Sequence, residues 1–195
     1  QDGSLTLQFD QAIRQDAGKY ITVFFYDIYA NYANTTDYGW KNLGGVVDTG
    51  SNTITVPFRK FGYYQVMYMD RSFDDMTGHS FARNELETLY SKGLMKAKTT
   101  FSFGPNDYIT RGEFAQILVK IFKLPLNYAG NSTFTDVLKI DNAIGMLYDY
   151  KYVETAARAG IIRGQASNRF NPGGSITRQD AAVMIARAAE MKMST

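Results

Sequence analysis

The sequence contains no cysteine, which excludes disulfide bridges, thiolate zinc sites and a cysteine nucleophile. Its single histidine, His79, cannot by itself build a histidine-rich metal centre. Net charge is nearly absent: 21 Lys plus Arg against 19 Asp plus Glu leave +2 over 195 residues, too weak a field to hold nucleic acid or an anionic membrane by charge. No apolar run approaches the roughly 18 residues needed to span a bilayer. The chain opens at Gln1 without a signal-peptide pattern, so it is expected to be mature, processed or an excised fragment. The Asn171–Ile176 loop lacks the alternating acids of a calcium loop. The pairs Glu85/Glu87 and Asp74/Asp75 each lie within one short segment, whereas glycoside hydrolysis needs two carboxyls facing across a cleft. They read as solvated acids, and neither a catalytic group nor a cofactor is expected. What remains is ordinary globular composition, 45% hydrophobic and 21% charged, with 14 Tyr and 13 Phe and length enough for two cores.

The two halves of the chain have different periods. Leu5, Leu7 and Phe9 alternate with polar residues, as do Ile54, Val56 and Phe58, while 20–26 and 63–68 are β-branched and aromatic runs. Asp48-Thr49-Gly50-Ser51-Asn52 between such runs is turn chemistry. From Phe73 onward the period is helical. Leu86, Leu89, Tyr90 and Gly93 make one stripe, and Phe114, Ile117, Leu118, Ile121 and Phe122 a stronger one. Thr110 and Glu113 have the spacing of a capping box, and Gly93 and Gly160 stand where a left-handed residue ends a helix. Residues 1–72 carry six basic and seven acidic residues, 73–195 fifteen and twelve, so the boundary is placed near Ser72.

The second half repeats itself. A shift of 67 residues, without a gap, superposes Gly93 on Gly160, Phe103 on Phe170, Pro105 on Pro172, Ile109-Thr110-Arg111 on Ile176-Thr177-Arg178 and Glu113 on Asp180. Upstream, Phe73-Asp74-Asp75-Met76 answers Phe134-Thr135-Asp136-Val137. The second copy carries extra residues between Leu138 and Tyr150. Ile140, Ile144 and Leu147 in that insertion have the spacing of a short covering helix.

An acidic-aromatic entry, Gly-Ile-Ile-x-Gly after a first helix, Phe-x-Pro, and Ile-Thr-Arg-x-Glu/Asp opening a second helix together resemble the S-layer homology motif, in two copies from about Phe73 to Met191. More weakly, 52–64 is similar to the short β modules that precede such motifs in secreted surface proteins. The expected fold class is α+β in two domains. An Ig-like all-β sandwich over 1–72 precedes an all-α domain over 73–195, with motif one at about 73–123 and motif two at about 134–191. The resemblance implies a non-catalytic cell-envelope anchor, extracellular at the cell surface, cell wall or S-layer. Its implied partner is secondary cell-wall polysaccharide, such as a pyruvylated polymer, held in grooves between motifs. The alternative is a protein–protein assembly module with little glycan binding.

Six residues are candidates for ligand binding. Arg111 and Arg178 occupy the first helical turn, where the helix dipole disfavours a cation. Either helix amides and guanidinium together hold a ligand carboxylate, or each Arg bonds a neighbouring motif's acid, Asp75 or Asp136. Glu113 is grouped with them. Asp75 and Asp136 either bind sugar hydroxyls or cap helices. Phe81 stands where the family places a stacking aromatic, with Tyr150 or Tyr152 in the second copy. Phe103 and Phe170 read as core plugs. The family's usual three motifs imply a missing neighbour for Phe114/Leu118/Phe122 and Met184/Ile185. A homo-oligomer or a third motif in trans is therefore expected.

Overall fold

Six strands form: β1 (Gly3–Gln8) and β5 (Thr53–Phe58) where apolar and polar residues alternate, β2 (Ile21–Tyr26) and β6 (Tyr63–Tyr68) in the β-branched and aromatic runs, and β3 (Trp40–Gly44) and β4 (Val46–Asp48) between them. A helical turn, α1 (Ala17–Tyr20), precedes β2. The computed structural model describes residues 3–28, 39–143 and 145–193. The strands pair antiparallel as two sheets, in the orders β1-β5-β4 and β3-β2-β6. Both sheets feed one core of Ile21, Val23, Ile54 and Val56, with Leu5, Leu7, Tyr64 and Val66 packed against it. The alternation read from the sequence is thus the alternation that is buried. The strands β3 and β4 belong to different sheets although only Gly45 separates them. Gly45 has φ +132, and a Cβ there would lie 2.6 Å from Ile54, so the crossing requires glycine.

Strands give way to helices at Ser72–Phe73. The helices are α2 (Ser80–Ser91), α3 (Arg111–Ile121), α4 (Tyr150–Arg158) and α5 (Arg178–Met193), so the chain is α+β. It falls into two compact units, Gln1–Pro105 and Asn106–Thr195. In the first unit, Leu86 and Tyr90 of α2 pack on Phe73, Met76 and Phe103. The same helix is tied to the strand-forming residues. Asn42 Nδ2 donates to the Ser91 carbonyl at 2.7 Å, Lys19 Nζ to Asn84 Oδ1 at 2.6 Å, and Lys92 Nζ to the Ile21 carbonyl.

In the second unit α3, α4 and α5 enclose Ala115, Leu118, Val119, Val153, Ala156, Phe170, Met184 and Ala188. Gly93 and Gly160 follow α2 and α4 with φ of +68 and +74, ending them as expected. Three expectations need correction. Ile121 is 49% exposed, because the buried stripe of α3 runs through Ala115, Leu118 and Val119, and Ile121 falls off its edge. The Phe114/Leu118/Phe122 face is not left uncovered, since all three pack into the core of this unit. The described residues of the 138–149 insertion form turns and bends, not a helix; Ile144 lies outside the described residues. Among the described residues no helix is long and apolar enough to cross a membrane.

Candidate functional site

The loop Phe170–Ser175 of motif two meets the start of α3, the second helix of motif one. Thr110 caps α3 through the expected box: its Oγ1 accepts from the Glu113 amide at 3.2 Å, and Glu113 Oε2 accepts from the Thr110 amide at 2.9 Å. The two amides between them are taken by motif two. Arg111 N–H donates to the Gly174 carbonyl at 2.9 Å and Gly112 N–H to the Pro172 carbonyl at 2.8 Å, beside a β-bridge pairing Thr110 with Ser175. The N-terminus of α3 therefore has no amide left for an anion.

The Arg111 side chain is buried and held by the same neighbour. Its Nε donates to the Phe170 carbonyl at 3.0 Å, its Nη1 pairs with Asp180 at 2.7 Å, and its guanidinium carbon lies 4.8 Å from the centre of the Phe170 ring. The acid that meets it is Asp180, not Asp75 or Asp136. Asp180 is the repeat counterpart of Glu113. One position thus serves in motif one as half of a capping box, and in motif two as the acceptor that clasps the neighbouring motif.

The expected acids do a different job from either one foreseen. Asp136 accepts from the amides of Phe170 and Asn171, both at 2.8 Å, with Arg169 at 3.7 Å. Asp75 accepts from the amides of Phe103 and Gly104, at 2.9 and 2.8 Å, and from the Ser102 hydroxyl at 2.6 Å. Partial burial pushes each carboxyl up, but these donors outweigh it and hold both below the usual range. Each Asp thereby folds its own Phe-x-Pro loop back over the motif entry. The enclosed phenylalanines pair with the entry aromatics, Phe73–Phe103 at 5.6 Å and Phe134–Phe170 at 5.3 Å. Phe103 and Phe170 are core plugs, 6% and 0% exposed.

Glu87, read from the sequence as a solvated acid, is instead buried, and so is Glu154, which the 67-residue shift superposes on it and which the sequence did not single out. Glu154 accepts from the amide and hydroxyl of Thr133 and from Arg158 Nε at 2.8 Å; Glu87 accepts from Arg83 Nε at 2.8 Å and from the Tyr20 hydroxyl at 3.2 Å. Burial raises each, and the donors bring it below its ordinary value. The arginine comes from four residues before the acid in one copy and from four after it in the other, which hid the likeness.

Against this closed interface, α5 is open. Arg178 is exposed, and its side chain has no hydrogen bond or ion pair among the described residues. Thr177 caps the Asp180 amide at 3.1 Å, but the amides of Arg178 and Gln179 donate to no acceptor among the described residues. The positions matching the buried Leu118 and Val119 are Ile185, 47% exposed, and Ala186, also exposed, so Ile185 is not the core residue expected. Asp75 and Phe81 belong to the other compact unit, with Phe81 85% exposed near the start of α2. In motif two Tyr148 rather than Tyr150 or Tyr152 occupies the position of Phe81, and its ring lies over Gly112, where a Cβ would approach to 2.6 Å.

Comparison with known proteins agrees with this pair of repeats. The S-layer homology domain matches residues 72–115 and 133–182. An amylopullulanase of Thermoanaerobacterium thermosulfurigenes is 32% identical over 161 residues, 82% of this chain and 8% of that protein, so the likeness extends into the strand-forming half. The S-layer protein EA1 of Bacillus anthracis is 29% identical over 122 residues, 63% of this chain and 13% of that protein. The exoglucanase XynX of Acetivibrio thermocellus is 31% identical over 117 residues, 58% of this chain and 10% of that protein. The chain thus spans about a tenth of the length of these relatives. Over its two repeats, 72–115 and 133–182, the chain belongs to the S-layer homology family.

Proposed function

We propose that this chain is a non-catalytic anchoring module that holds its parent protein at the cell surface by binding secondary cell-wall polysaccharide. The anchoring part begins at Phe73, and 1–72 is an Ig-like spacer. The facing strand orders β1-β5-β4 and β3-β2-β6, feeding one core, support the sandwich reading. The observation that carries the binding site is the contrast between the two Ile-Thr-Arg helices. Arg111 and the first amides of α3 are consumed by motif two, whereas Arg178 and the first amides of α5 remain open. An exposed guanidinium beside two forward-pointing amides suits a carboxylate on a saccharide, such as a pyruvyl ketal or a uronate.

The exposed Ile185 and Ala186 favour a second reading, in which another S-layer homology motif covers α5 as α4 covers α3 and Arg178 finds its Asp180 there. Calorimetric titration of the whole chain with purified wall polymer separates the two. Saturable heat that falls at least tenfold in affinity in Arg178→Ala supports glycan binding. Absence of heat, with chain association that Arg178→Ala abolishes, supports assembly.

A further inference from the structure

The outer face of the sheet β3-β2-β6 carries a row of aromatic rings that neither core uses. Register places Trp40, Tyr26 and Tyr63 opposite one another across three adjacent strands, and strand alternation turns them away from the core side, where Val23, Phe25 and Tyr64 lie. Trp40 and Tyr26 have ring centres 5.5 Å apart. At the spacing of neighbouring strands the row is about 9.5 Å from Trp40 to Tyr63. The next row of the same face holds Asn42, Phe24 and Gln65, and beyond it Asn42 is bonded to Thr22 and to the Ser91 carbonyl at the end of α2. One end of the face is therefore closed, and at the aromatic end no described residue covers the row, with Trp40 45% and Tyr63 62% exposed. Gly62 passes so close to the Tyr26 carbonyl that a Cβ would lie 2.5 Å from it, which fixes the approach of Tyr63 to the row.

The shape and chemistry of this strip select its occupant. Its open aromatic surface is roughly 250 Å², judged from the size of such side chains, well short of the ~800 Å² per partner of a stable protein interface. A second copy or a folded partner is therefore too large a claim for it. Trp40, Tyr26, Tyr63, Phe24 and Gln65 carry no formal charge, so a phosphate backbone or an anionic polymer finds no counter-ion among them. Rings with an apolar face and a polar tip match a pyranose, which presents a flat face of C–H groups and a rim of hydroxyls. We propose that this face is a platform for a neutral polysaccharide, with Trp40, Tyr26 and Tyr63 stacking on successive pyranose rings and Gln65 bonding their hydroxyls. The proposal does not rest on the wall-anchoring reading, which concerns α5 and an anionic group.

Trp40 is the chain's one tryptophan, so its emission reports this site and no other. The whole chain is titrated with hexasaccharides of β-1,4-glucan, α-1,4-glucan and xylan, and run in native gels cast with the corresponding polymers. The expected result is a saturable change of emission with at least one of them and retardation by its polymer, weakened at least tenfold in Tyr63→Ala with the circular dichroism unchanged. Trp40→Phe, which keeps an aromatic face, retains part of the retardation. No emission change with any of the three sugars overturns the proposal. So does retardation undiminished in Tyr63→Ala, or an emission change that follows protein concentration without sugar, which would mark a self-association face.

Discussion

At the scale of single residues, the two Ile-Thr-Arg arginines are chemically identical in sequence and physically different in place. Arg111 holds a carbonyl, a carboxylate and an aromatic face, so Arg111→Ala should destabilise the chain by about 1–3 kcal/mol, the range for losing charge-assisted bonds at a buried group. Arg111→Lys should not restore the loss, since an ammonium cannot reproduce the planar fork. Arg178→Ala should leave stability within about 0.5 kcal/mol, as for an exposed side chain. Urea denaturation of the three variants checks all of this. Asp75, Asp136, Glu87 and Glu154 all have folded-state values below their ordinary ones, so their contribution is present above the unfolded carboxylate range and is lost as pH falls through it. Urea midpoints should therefore decline below about pH 4, and Asp136→Asn should flatten part of that decline. The positions of these acids were legible from the repeat. Their task was not, because the acceptors serve backbone amides of a distant loop, and amides leave no mark in a sequence.

At the scale of elements, period and caps were legible and rotation about the helix axis was not. The capping box at Thr110 and the two terminal glycines follow from local chemistry alone and stand where the sequence puts them. The buried stripe of α3 depends on which helices surround it, so Ile121 and Ile185, apolar and correctly spaced, face outward. The strands β3 and β4 were missed because Lys41, Asn42 and two glycines interrupt any alternation there. Contact between α3 and the entry of α4 depends on Gly112. Gly112→Ala should destabilise the chain, and Tyr148→Ala, which removes the ring it meets, should cancel part of that cost, so the double variant is more stable than the sum of the two singles allows. Thermal unfolding of the four proteins measures the coupling.

At the scale of the whole molecule, the sequence boundary at Ser72 marks a change of secondary structure, and the compact units divide after Pro105. In the first unit Lys92 joins α2 to β2, and burial pulls its ammonium down to about 8. The folded state then loses a proton that the unfolded state keeps, so stability should rise above pH 8. Tyr20, pushed up to about 12 by burial and then by Glu87, keeps a proton that the unfolded state loses above its ordinary value near 10, so stability should fall beyond that point. The maximum near pH 10 should flatten on its acid side in Lys92→Met, as followed by urea midpoints from pH 7 to 11. In the proposed anchoring role, the open Arg178 of the second S-layer homology motif takes a saccharide carboxylate. The most direct test of this role is sedimentation of the chain with purified cell-wall sacculi, before and after the wall polymer is stripped by mild acid. Co-sedimentation with intact walls, lost on stripping and weakened by Arg178→Ala, is the expected result; equal binding to intact and stripped walls would contradict it.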